Sequence, residues 1–404
     1  MTTAILGAGI LGTCAALEIA DRGGRVTLVE RRAEPLCEAS LHNEGKLHLG
    51  LTYAADPSLR TVRTMLYGAS RFLDVLARWI PADALRGLYA RPFDYVVLPD
   101  TQVPPDAVDR HFAAVEAAWR DLAPAPGLPP AAADRPFWRR LSAAELTARY
   151  DPGRVAAAYE TAEIAVAPWG LAPLLRQAVA RHPRIEWLGR TRITGIEPAR
   201  GGHAVLVEGP AGRGRIGPFA SVVNALWANR PWLDRMLGIE QPGPWLTRFK
   251  VGVHVQGPPP DDLRSVTAIL GPYGDVVVHA DGRTYLSWYP DCMLGTSDRP
   301  ELHDWAARAA GIDRQGIARR TMAAMAALHP AARPLLERPE GEIDIQGGAI
   351  YALAVSDIDD RASRLHRRHD VGIQSRGSYH SVDTGKFTLG PAMAIDVADR
   401  VRAP

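Results

Sequence analysis

The feature that most constrains this chain of 404 residues is a glycine-rich turn close to its first residue. Residues 3–6 are apolar and predict a buried strand, and the turn GAGILG follows at 7–12. Residues 13–21 then predict a helix, and residues 25–30 predict a second buried strand. Strand, glycine turn, helix and strand in this order predict the start of an α/β, Rossmann-like domain that binds the phosphates of a dinucleotide.

The three glycines of this turn have different roles in such a unit. Gly7 permits the tight turn, Gly9 has no Cβ to block the phosphates, and Gly12 lets the helix lie close to the strand. The helix N-terminus adds partial positive charge, and Glu30 can accept hydrogen bonds from a ribose, which disfavours a 2′-phosphate there. The alternative is a chance glycine turn before an ordinary helix. The predicted nucleotide-binding residues of this unit are Gly7, Gly9, Ile10, Leu11, Gly12, Glu30 and Arg31.

Composition and charge narrow the function classes. The length allows two or three domains, and 47% hydrophobic with 23% charged residues is ordinary for a globular protein. A net charge of +2 gives no reason to expect nucleic acid or an anionic membrane as partner. We see no leader-like start and no long uncharged apolar run, so we expect no signal peptide and no integral membrane segment. The 3 cysteines lack metal-ligand spacing, which favours a reducing cytoplasm and no metal.

The rest of the chain predicts a second kind of sheet. Short strands between Gly, Pro and Asp turns predict antiparallel pairing at 246–255, 265–270, 275–279 and 284–289. Helices are also predicted at 56–79, 112–122, 168–180, 316–328 and 391–401, with loops around 104–105 and 124–130. We expect a discontinuous dinucleotide-binding domain at 1–85, 150–240 and 346–404, and a substrate-binding domain at 86–149 and 241–345.

Two distant segments resemble one known family. Residues 39–53 read ASLHNEGKLHLGLTY, and residues 384–394 read TGKFTLGPAMA. The first resembles the flavin loop of the D-amino-acid-oxidase (DAO) superfamily, in particular HNSGVIHSGIYY of L-2-hydroxyglutarate dehydrogenases. The second is similar to GGKLTTYRKMA of FAD-dependent glycerol-3-phosphate dehydrogenases. Residues 190–224, which lead into VVNA at 222–225, also resemble a family segment, so that the resemblance covers about half of the chain.

The resemblance implies FAD as cofactor and a two-domain fold of the glutathione-reductase/DAO type. It implies that both segments meet at the isoalloxazine ring, with His48 beside it. The remaining residues that it assigns to the cofactor are Ser40, Asn43, Glu44, Gly45, Lys46, Gly385, Lys386, Phe387 and Thr388. The chain departs from the family at Thr52, where the glycerol-3-phosphate branch has an arginine, and at Leu226-Trp227, where many members have glycine after alanine. A phosphate held by that arginine is therefore not expected.

The implied reaction is oxidation of a CH–OH or CH–NH2 group by hydride transfer to flavin N5, which needs a proton acceptor and groups that hold the substrate. His48 is the first candidate base and His380 the second, and each is alternatively a structural histidine. The candidate substrate-binding residues are Arg248, Tyr285, Trp288, Arg376 and Tyr379. Strand alternation predicts Tyr285 and Tyr289 on one face and Trp288 on the other, although such aromatics are often core.

Two other functions fit the glycine turn. A flavin-dependent monooxygenase shares it, but a Gly-Asp motif late in the chain is missing and Asp383-Thr384-Gly385 is a poor substitute. A non-catalytic flavin-binding protein is the other alternative. For the enzyme we expect a small-molecule substrate and either O2 or an unknown electron acceptor.

Overall fold

The computed structural model describes residues 2–90, 92–122, 136–241, 243–299 and 305–402. Its strands are β1 (Thr2–Leu6), β2 (Arg25–Val29), β3 (Lys46–Leu47), β4 (Asp94–Val97), β5 (Trp138–Arg140), β6 (Ala157–Thr161), β7 (Ile164–Ala165), β8 (Ile185–Leu188), β9 (Arg192–Ala199), β10 (Gly202–Gly209), β11 (Gly212–Phe219), β12 (Ser221–Asn224), β13 (Leu246–Val255), β14 (Val266–Ile269), β15 (Gly274–Val278), β16 (Thr284–Trp288), β17 (Met293–Ser297), β18 (Ile343–Ala352), β19 (Gly372–Arg376) and β20 (Tyr379–Asp383). Its helices are α1 (Ile10–Asp21), α2 (Arg60–Leu76), α3 (Ala82–Arg86), α4 (Pro105–Asp121), α5 (Ala143–Arg149), α6 (Pro168–Arg181), α7 (Arg230–Met236), α8 (Tyr289–Cys292), α9 (Trp305–Ala309), α10 (Arg314–Leu328) and α11 (Gly390–Arg402).

The first sheet has six strands in the order β19-β20-β12-β1-β2-β8. β1 pairs in parallel with both β2 and β12, and β19 runs antiparallel to β20 at one edge. α1 packs against α11 and α6 and is buried from Ile10 to Ala20, because small side chains such as Ala15 and Ala16 let its neighbours approach closely. This sheet with its covering helices is the doubly wound half of the molecule.

The second sheet has nine strands along the path β17-β13-β16-β15-β14-β4-β6-β5, with β18 beside β13. β4 and β14 are parallel, and the other pairs described here are antiparallel. β13 is buried along its whole length, so both of its faces are covered. Val251, Val253 and Val255 belong to the apolar cluster that includes α10, and strand alternation turns Arg248 and Lys250 to the opposite face.

The predicted α/β class and two-domain architecture are confirmed, and some element boundaries differ. α4 begins at Pro105 rather than at 112, because proline is tolerated at the first helical position, where its missing N–H loses no partner. The strand predicted to 289 ends at Trp288, and Tyr289 begins α8, so Tyr289 leaves the alternation of β16. β11 was not predicted, since it is rich in glycine and mostly exposed. The loop predicted at 124–130 lies outside the described residues.

The sheet to which each strand belongs can be compared with the predicted domain segments. All strands of the six-stranded sheet lie in the segments predicted for dinucleotide binding. β6 falls within the predicted segment 150–240 but pairs with β4 and β5 of the nine-stranded sheet. β18 crosses the predicted boundary at 346 and pairs with β13 along ten residues. Both strands lie close to a predicted boundary, so they shift where the chain leaves the nine-stranded sheet and leave the number of passages between the sheets unchanged.

None of the helices in the described ranges combines the length and the apolar character needed to cross a lipid bilayer.

Candidate active site

A cavity of about 800 Å³ runs along the edge of the six-stranded sheet where its parallel strands end. The lining includes Gly7 after β1, Glu30 after β2, Ala225 after β12 and Thr384 after β20. In doubly wound folds this carboxyl edge is where nucleotide ligands bind. Its volume is within the range of roughly 300–1,000 Å³ that is usual for ligand and cofactor pockets.

The glycine turn at one end of this cavity leaves no room for side chains. Gly7 has φ +96, and a Cβ there would lie 2.8 Å from the Ala225 carbonyl oxygen. A Cβ on Gly12 would lie 1.9 Å from the Gly7 oxygen, and one on Gly9 would lie 3.0 Å from Ser40 Oγ. The Ile10 N–H donates to Ser40 Oγ at 2.9 Å, so the serine lies at the N-terminus of α1, whose first turn has no acidic residue. This cradle suits an anionic group close to backbone N–H groups.

Glu30 lies at the same end of the cavity. It accepts hydrogen bonds from the Ala8 N–H at 2.9 Å and from the Arg32 N–H at 3.0 Å. Burial raises its pKa, and these backbone donors oppose the rise. Arg31, predicted beside it, forms an ion pair with Glu38. Glu30 therefore fixes the turn and also presents its carboxylate to the cavity.

The loop after β2 is built from its own polar and glycine residues. Asn43 Nδ2 donates to the Ala39 oxygen at 2.9 Å, and Asn43 Oδ1 accepts from the Gly45 N–H at 2.7 Å. Gly45 has φ +66, and a Cβ there would meet the Val166 oxygen at 2.1 Å. The Asn43 side chain thus holds the loop in shape, while Asn43 itself lines the cavity.

The histidine loop and the tail of the chain meet at the other end of the cavity. Thr388 Oγ1 accepts from the His48 N–H at 3.0 Å and donates to the Lys46 oxygen at 3.1 Å. Gly385, Lys386 and Phe387 line the cavity together with His48. The two segments that resemble the family are therefore hydrogen-bonded to each other.

Lys46 extends from this loop into the nine-stranded sheet. Its ammonium lies 2.6 Å from Asp275 Oδ1 of β15 and contacts the Thr267 hydroxyl of β14. Thr267 Oγ1 also donates to Asp275 Oδ1 at 2.8 Å. Burial lowers the pKa of Lys46, but Asp275, Glu163 and Glu44 outweigh it and raise the value. This buried pair joins the histidine loop to the nine-stranded sheet at the site.

The His48 ring is buried, and neither of its nitrogens has a hydrogen-bond partner among the described residues. Nε2 lies 3.7 Å from Glu44 Oε1, and Nδ1 lies 3.9 Å from Glu163 Oε1, distances that are too long for hydrogen bonds. Burial and the ammonium of Lys386 lower the pKa of His48 to about 3. The ring is therefore neutral at physiological pH and has one nitrogen free to accept a proton.

Glu163 is a site residue that the sequence did not suggest. It is fully buried, accepts a hydrogen bond from Tyr95 OH, and accepts another from the Leu49 N–H at 2.7 Å. Burial raises its pKa. A single acid before β7 gives no signal in the sequence, since its partners are 68 and 114 residues away.

A smaller inner cavity of about 80 Å³ adjoins the large one on the side of the nine-stranded sheet. Both cavities share Glu44, Lys46, His48 and Lys386 as lining residues. The inner cavity adds charged and phenolic side chains from the histidine loop, β13, α8 and the tail: Tyr53, Arg248, Lys250, Tyr289 and Arg368. His48 thus lies where the two cavities meet.

Arg248 and Lys250 are brought to the inner cavity by β13. Lys250 Nζ donates to Ser287 Oγ at 3.1 Å and lies 4.2 Å from the centre of the Tyr289 ring. Arg248 lies 5.1 Å from the same ring and pairs with Asp357 at 2.8 Å. Burial raises the pKa of Tyr289, but Lys250, Arg248 and Lys386 outweigh it and lower the value.

Two predicted substrate residues of β16 lie outside both cavity linings. Tyr285 is buried behind β13, where a Cβ on Gly252 would lie 2.2 Å from its ring. Trp288 stacks on Tyr273 with ring centres 6.1 Å apart. Both pack against the sheet and the helix that covers it.

The predicted residues of β19 and β20 are also away from the two cavities. The Arg376 guanidinium donates to the Leu237 carbonyl oxygen. Tyr379 OH donates to Asp234 Oδ1 at 2.7 Å. His380 Nδ1 lies 2.9 Å from Ser375 Oγ. The residues that the tail does supply to the site are Lys386 and Arg368. Arg368 lies within a run of charged residues, so the sequence offered no reason to choose it as a site residue.

A nucleotide cradle at a parallel sheet edge, with a cavity leading to an antiparallel second sheet, defines a two-domain dinucleotide-dependent oxidoreductase. The chain belongs to the DAO family of FAD-dependent oxidoreductases, whose family model matches residues 2–400. FAD is accordingly its cofactor, and the chain is an enzyme of the FAD-dependent oxidase and dehydrogenase class. The predicted superfamily is thereby confirmed, whereas the two particular branches stay a prediction. No curated protein matches the chain.

Several solved structures have the same fold. L-amino acid deaminase from Proteus myxofaciens has a TM-score of 0.65 at 19% identity, with 99% of this chain and 89% of that chain covered. Glycine oxidase from Geobacillus kaustophilus has a TM-score of 0.66 at 18% identity, with 99% of this chain and 95% of that chain covered. L-alpha-glycerophosphate oxidase from Mycoplasma pneumoniae, with FAD bound, has a TM-score of 0.65 at 15% identity, with 100% of this chain and 96% of that chain covered. At these identities the likeness establishes the fold and leaves the substrate open.

The residues present fit FAD. The glycine turn is a cradle that any Cβ would fill, and the cavity leads from it without interruption to the junction of the His48 loop and the tail. Lys386 is half-buried there, and its partial removal from water lowers its pKa. A cationic or N–H-rich edge is the chemistry that a flavin ring needs when it is reduced.

Proposed function

We propose that this enzyme oxidises a CH–OH or CH–NH2 group of a small polar substrate by hydride transfer to flavin N5. The observation that carries the proposal is the position of His48, which lines both the cofactor-sized cavity and the inner cavity and whose ring has no hydrogen-bond partner among the described residues. A substrate in the inner cavity would therefore lie beside a proton acceptor and next to the cavity that would hold the flavin.

When bound, FAD supplies an isoalloxazine ring that accepts the hydride. We propose that the segments 1–85, 150–240 and 346–404 hold it, with its pyrophosphate near the glycine turn and Ser40. The segments 86–149 and 241–345 would cover the substrate. Gly385, Lys386 and Thr388 would hold the pyrimidine edge, where the Lys386 ammonium stabilises negative charge.

His48 would accept the proton from the substrate hydroxyl or amine. A neutral ring is required for this, and burial keeps it neutral. A pKa of about 3 makes the free ring a weak base, and the protonated ring would be stabilised by Glu44 and Glu163, which lie within 4 Å of its two nitrogens. These carboxylates are positioning groups in this account.

The test is anaerobic reduction of the bound flavin by a panel of amino acids, hydroxy acids and polyols. Reduction is measured as the loss of the flavin's visible absorbance. With a substrate that reduces it, His48→Gln should slow reduction by roughly 10²–10⁴, as expected for a lost general base. His380→Gln is the matched control, because His380 lies outside both cavities and should leave the rate within about twofold. An unchanged rate in His48→Gln would reject the role of His48, and a flavin that no member of the panel reduces would contradict the proposed oxidation.

A further inference from the structure

The inner cavity contains more positive than negative side chains. Two of the described lining residues are carboxylates, Glu44 and Asp275. The positive lining residues are Lys46, Arg248, Lys250, Arg368 and Lys386. The inference drawn from this imbalance rests on the proposed function, in which this cavity holds the substrate.

Two of these cations are neutralised by the protein itself. Lys46 pairs with Asp275 at 2.6 Å, and Arg248 pairs with Asp357 at 2.8 Å. Arg248 nevertheless keeps one buried N–H without a partner, since its Nε forms no hydrogen bond among the described residues. These two pairs leave three cations to be compensated.

Lys250, Arg368 and Lys386 form no ion pair with a carboxylate in the described part of the chain. Lys250 donates a hydrogen bond to the neutral Ser287 hydroxyl, and Arg368 donates to the Tyr351 carbonyl oxygen at 3.2 Å. Burial and the nearby Arg248 lower the pKa of Arg368, but a guanidinium remains charged at neutral pH. The cavity therefore contains two buried cations, Lys250 and Arg368, and the half-buried Lys386, and these positive charges repel each other.

Glu44 supplies the remaining negative charge. Burial opposes its ionisation, but the ammonium groups of Lys386 and Lys250 hold its pKa well below the usual range. Among the described lining residues, one ionised carboxylate against three cations leaves a net charge of two, and Glu163, which lines neither cavity, is not counted. Burying uncompensated charge is unfavourable, so a site of this kind is stable in its occupied form.

The uncompensated cations come from two different segments. Lys250 and Arg248 belong to β13 and lie 4.2 Å and 5.1 Å from the centre of the Tyr289 ring, and the Nε of Arg248 has no hydrogen-bond partner among the described residues. Arg368 belongs to the tail. Burial raises the pKa of Tyr53, and the nearby Arg368 opposes that rise. The Tyr53 hydroxyl is buried, has no hydrogen-bond partner in the described part of the chain and can donate to an oxygen beside Arg368.

We infer that the substrate is a small acid with two separate anionic groups, such as a dicarboxylic amino or hydroxy acid. One group would be held by Lys250 and Arg248, and the other by Arg368 and Tyr53. The cavity of about 80 Å³ corresponds to several water-sized groups, at ~10–15 Å³ for each, so the acid is short. Its reacting carbon would lie toward His48 and the larger cavity.

The first test is binding without reaction. Succinate and butyrate, which have the same chain length, are titrated into the FAD-loaded enzyme, and the change in the visible flavin spectrum is followed. Two bound carboxylates predict that succinate binds at least about tenfold more tightly, since charge-assisted bonds to a second group are added. Equal affinities would overturn the inference.

Variants locate the two anion sites. Arg368→Gln and Lys250→Gln should each remove most of the preference for succinate. At least one of the two variants should bind butyrate within about threefold of the parent's affinity. Arg200→Gln, an exposed arginine at the turn between β9 and β10, is the control and should change neither affinity. A preference for succinate that survives in both cavity variants would overturn the inference.

The second test is anaerobic flavin reduction by matched pairs, malate with lactate and aspartate with alanine. Faster reduction by a diacid at equal low concentration is expected for the reactive pair. Reduction by glycerol 3-phosphate or by monocarboxylates alone would support the proposed oxidation and overturn the two-anion inference. Tight succinate binding with no flavin reduction by any compound would contradict the proposed oxidation and support the two-anion site.

Discussion

The two ends of the site are built by opposite means. At the glycine turn the protein removes side chains and offers backbone N–H groups, all within residues 7–12 and the neighbouring Ser40. At the inner cavity it gathers charged side chains from the early loop, β13, α8 and the tail. The first end suits a ligand part that the whole family shares. The second end can change its ligand by changing individual side chains, without disturbing the cradle.

The largest effect is expected where the inner region depends on charge pairing. Asp275→Asn leaves the Lys46 ammonium buried beside a neutral amide, and it should lower the free energy of unfolding by about 3–5 kcal/mol. Chemical denaturation of the purified protein measures the change. Glu208→Gln is the control, because its ion pair with Arg192 is at the surface and contributes about 0–1 kcal/mol. A loss for Asp275→Asn no larger than that of the control would show that the two ends do not differ in this way.

A somewhat smaller effect is expected at the glycine end. Gly12→Ala places a Cβ 1.9 Å from the Gly7 oxygen and should cost about 1–3 kcal/mol, with loss of bound FAD. The fraction of yellow holoprotein and the thermal midpoint are the measurements. Gly214→Ala is matched, since a Cβ there meets nothing within 4 Å, and it should change stability by less than about 0.5 kcal/mol. Full FAD occupancy in Gly12→Ala would contradict the close approach of α1 to the turn.

The effect that is smallest at neutral pH comes from histidines whose pKa is lowered by burial, because it appears only on acidification. Burial lowers the pKa of His254 to about 3 and that of His279 to about 4, and His42 lies beside His254 with ring centres 6.1 Å apart. These rings are neutral in the folded protein and become charged in the unfolded chain below about pH 6.5. Stability should therefore be complete above that pH and fall as pH decreases toward 4, by at most about 1.4 kcal/mol per pH unit for each histidine.

The check is the pH dependence of unfolding in His254→Gln. The variant should lose less stability than the parent between pH 6.5 and pH 4, because one group that binds a proton on unfolding is gone. His182→Gln, a half-buried histidine paired with Asp21, is the comparison and should retain the parental slope. Identical slopes in all three proteins would remove His254 from the acid response.

Much of the fold could be predicted because its signals are local. The glycine turn, the apolar strands around it and the short strands of the second half lie within spans of 4 to 12 residues, and their positions agree with β1, β2, β13 and β16 to within a few residues. α4 began earlier than predicted because Pro104-Pro105 resembles a loop and also suits a helix start. The candidate site was predicted where a family motif covers it, as at His48 and Lys386.

The sequence by itself determined the nucleotide-binding turn and the α/β class, because these depend on neighbours in the chain and on missing side chains. The kind of cofactor followed from the resemblance of two distant segments to a known family. Tertiary structure decided which charges line the inner cavity. Asp275 pairs with Lys46 although 229 residues separate them in the sequence, and Arg368 lines the inner cavity although it is far in sequence from the other lining residues of the histidine loop and β13. Pairing of buried charges depends on distance in space and on burial, which no local pattern encodes, and so Glu163, Asp275 and Arg368 emerged only when the chain was folded.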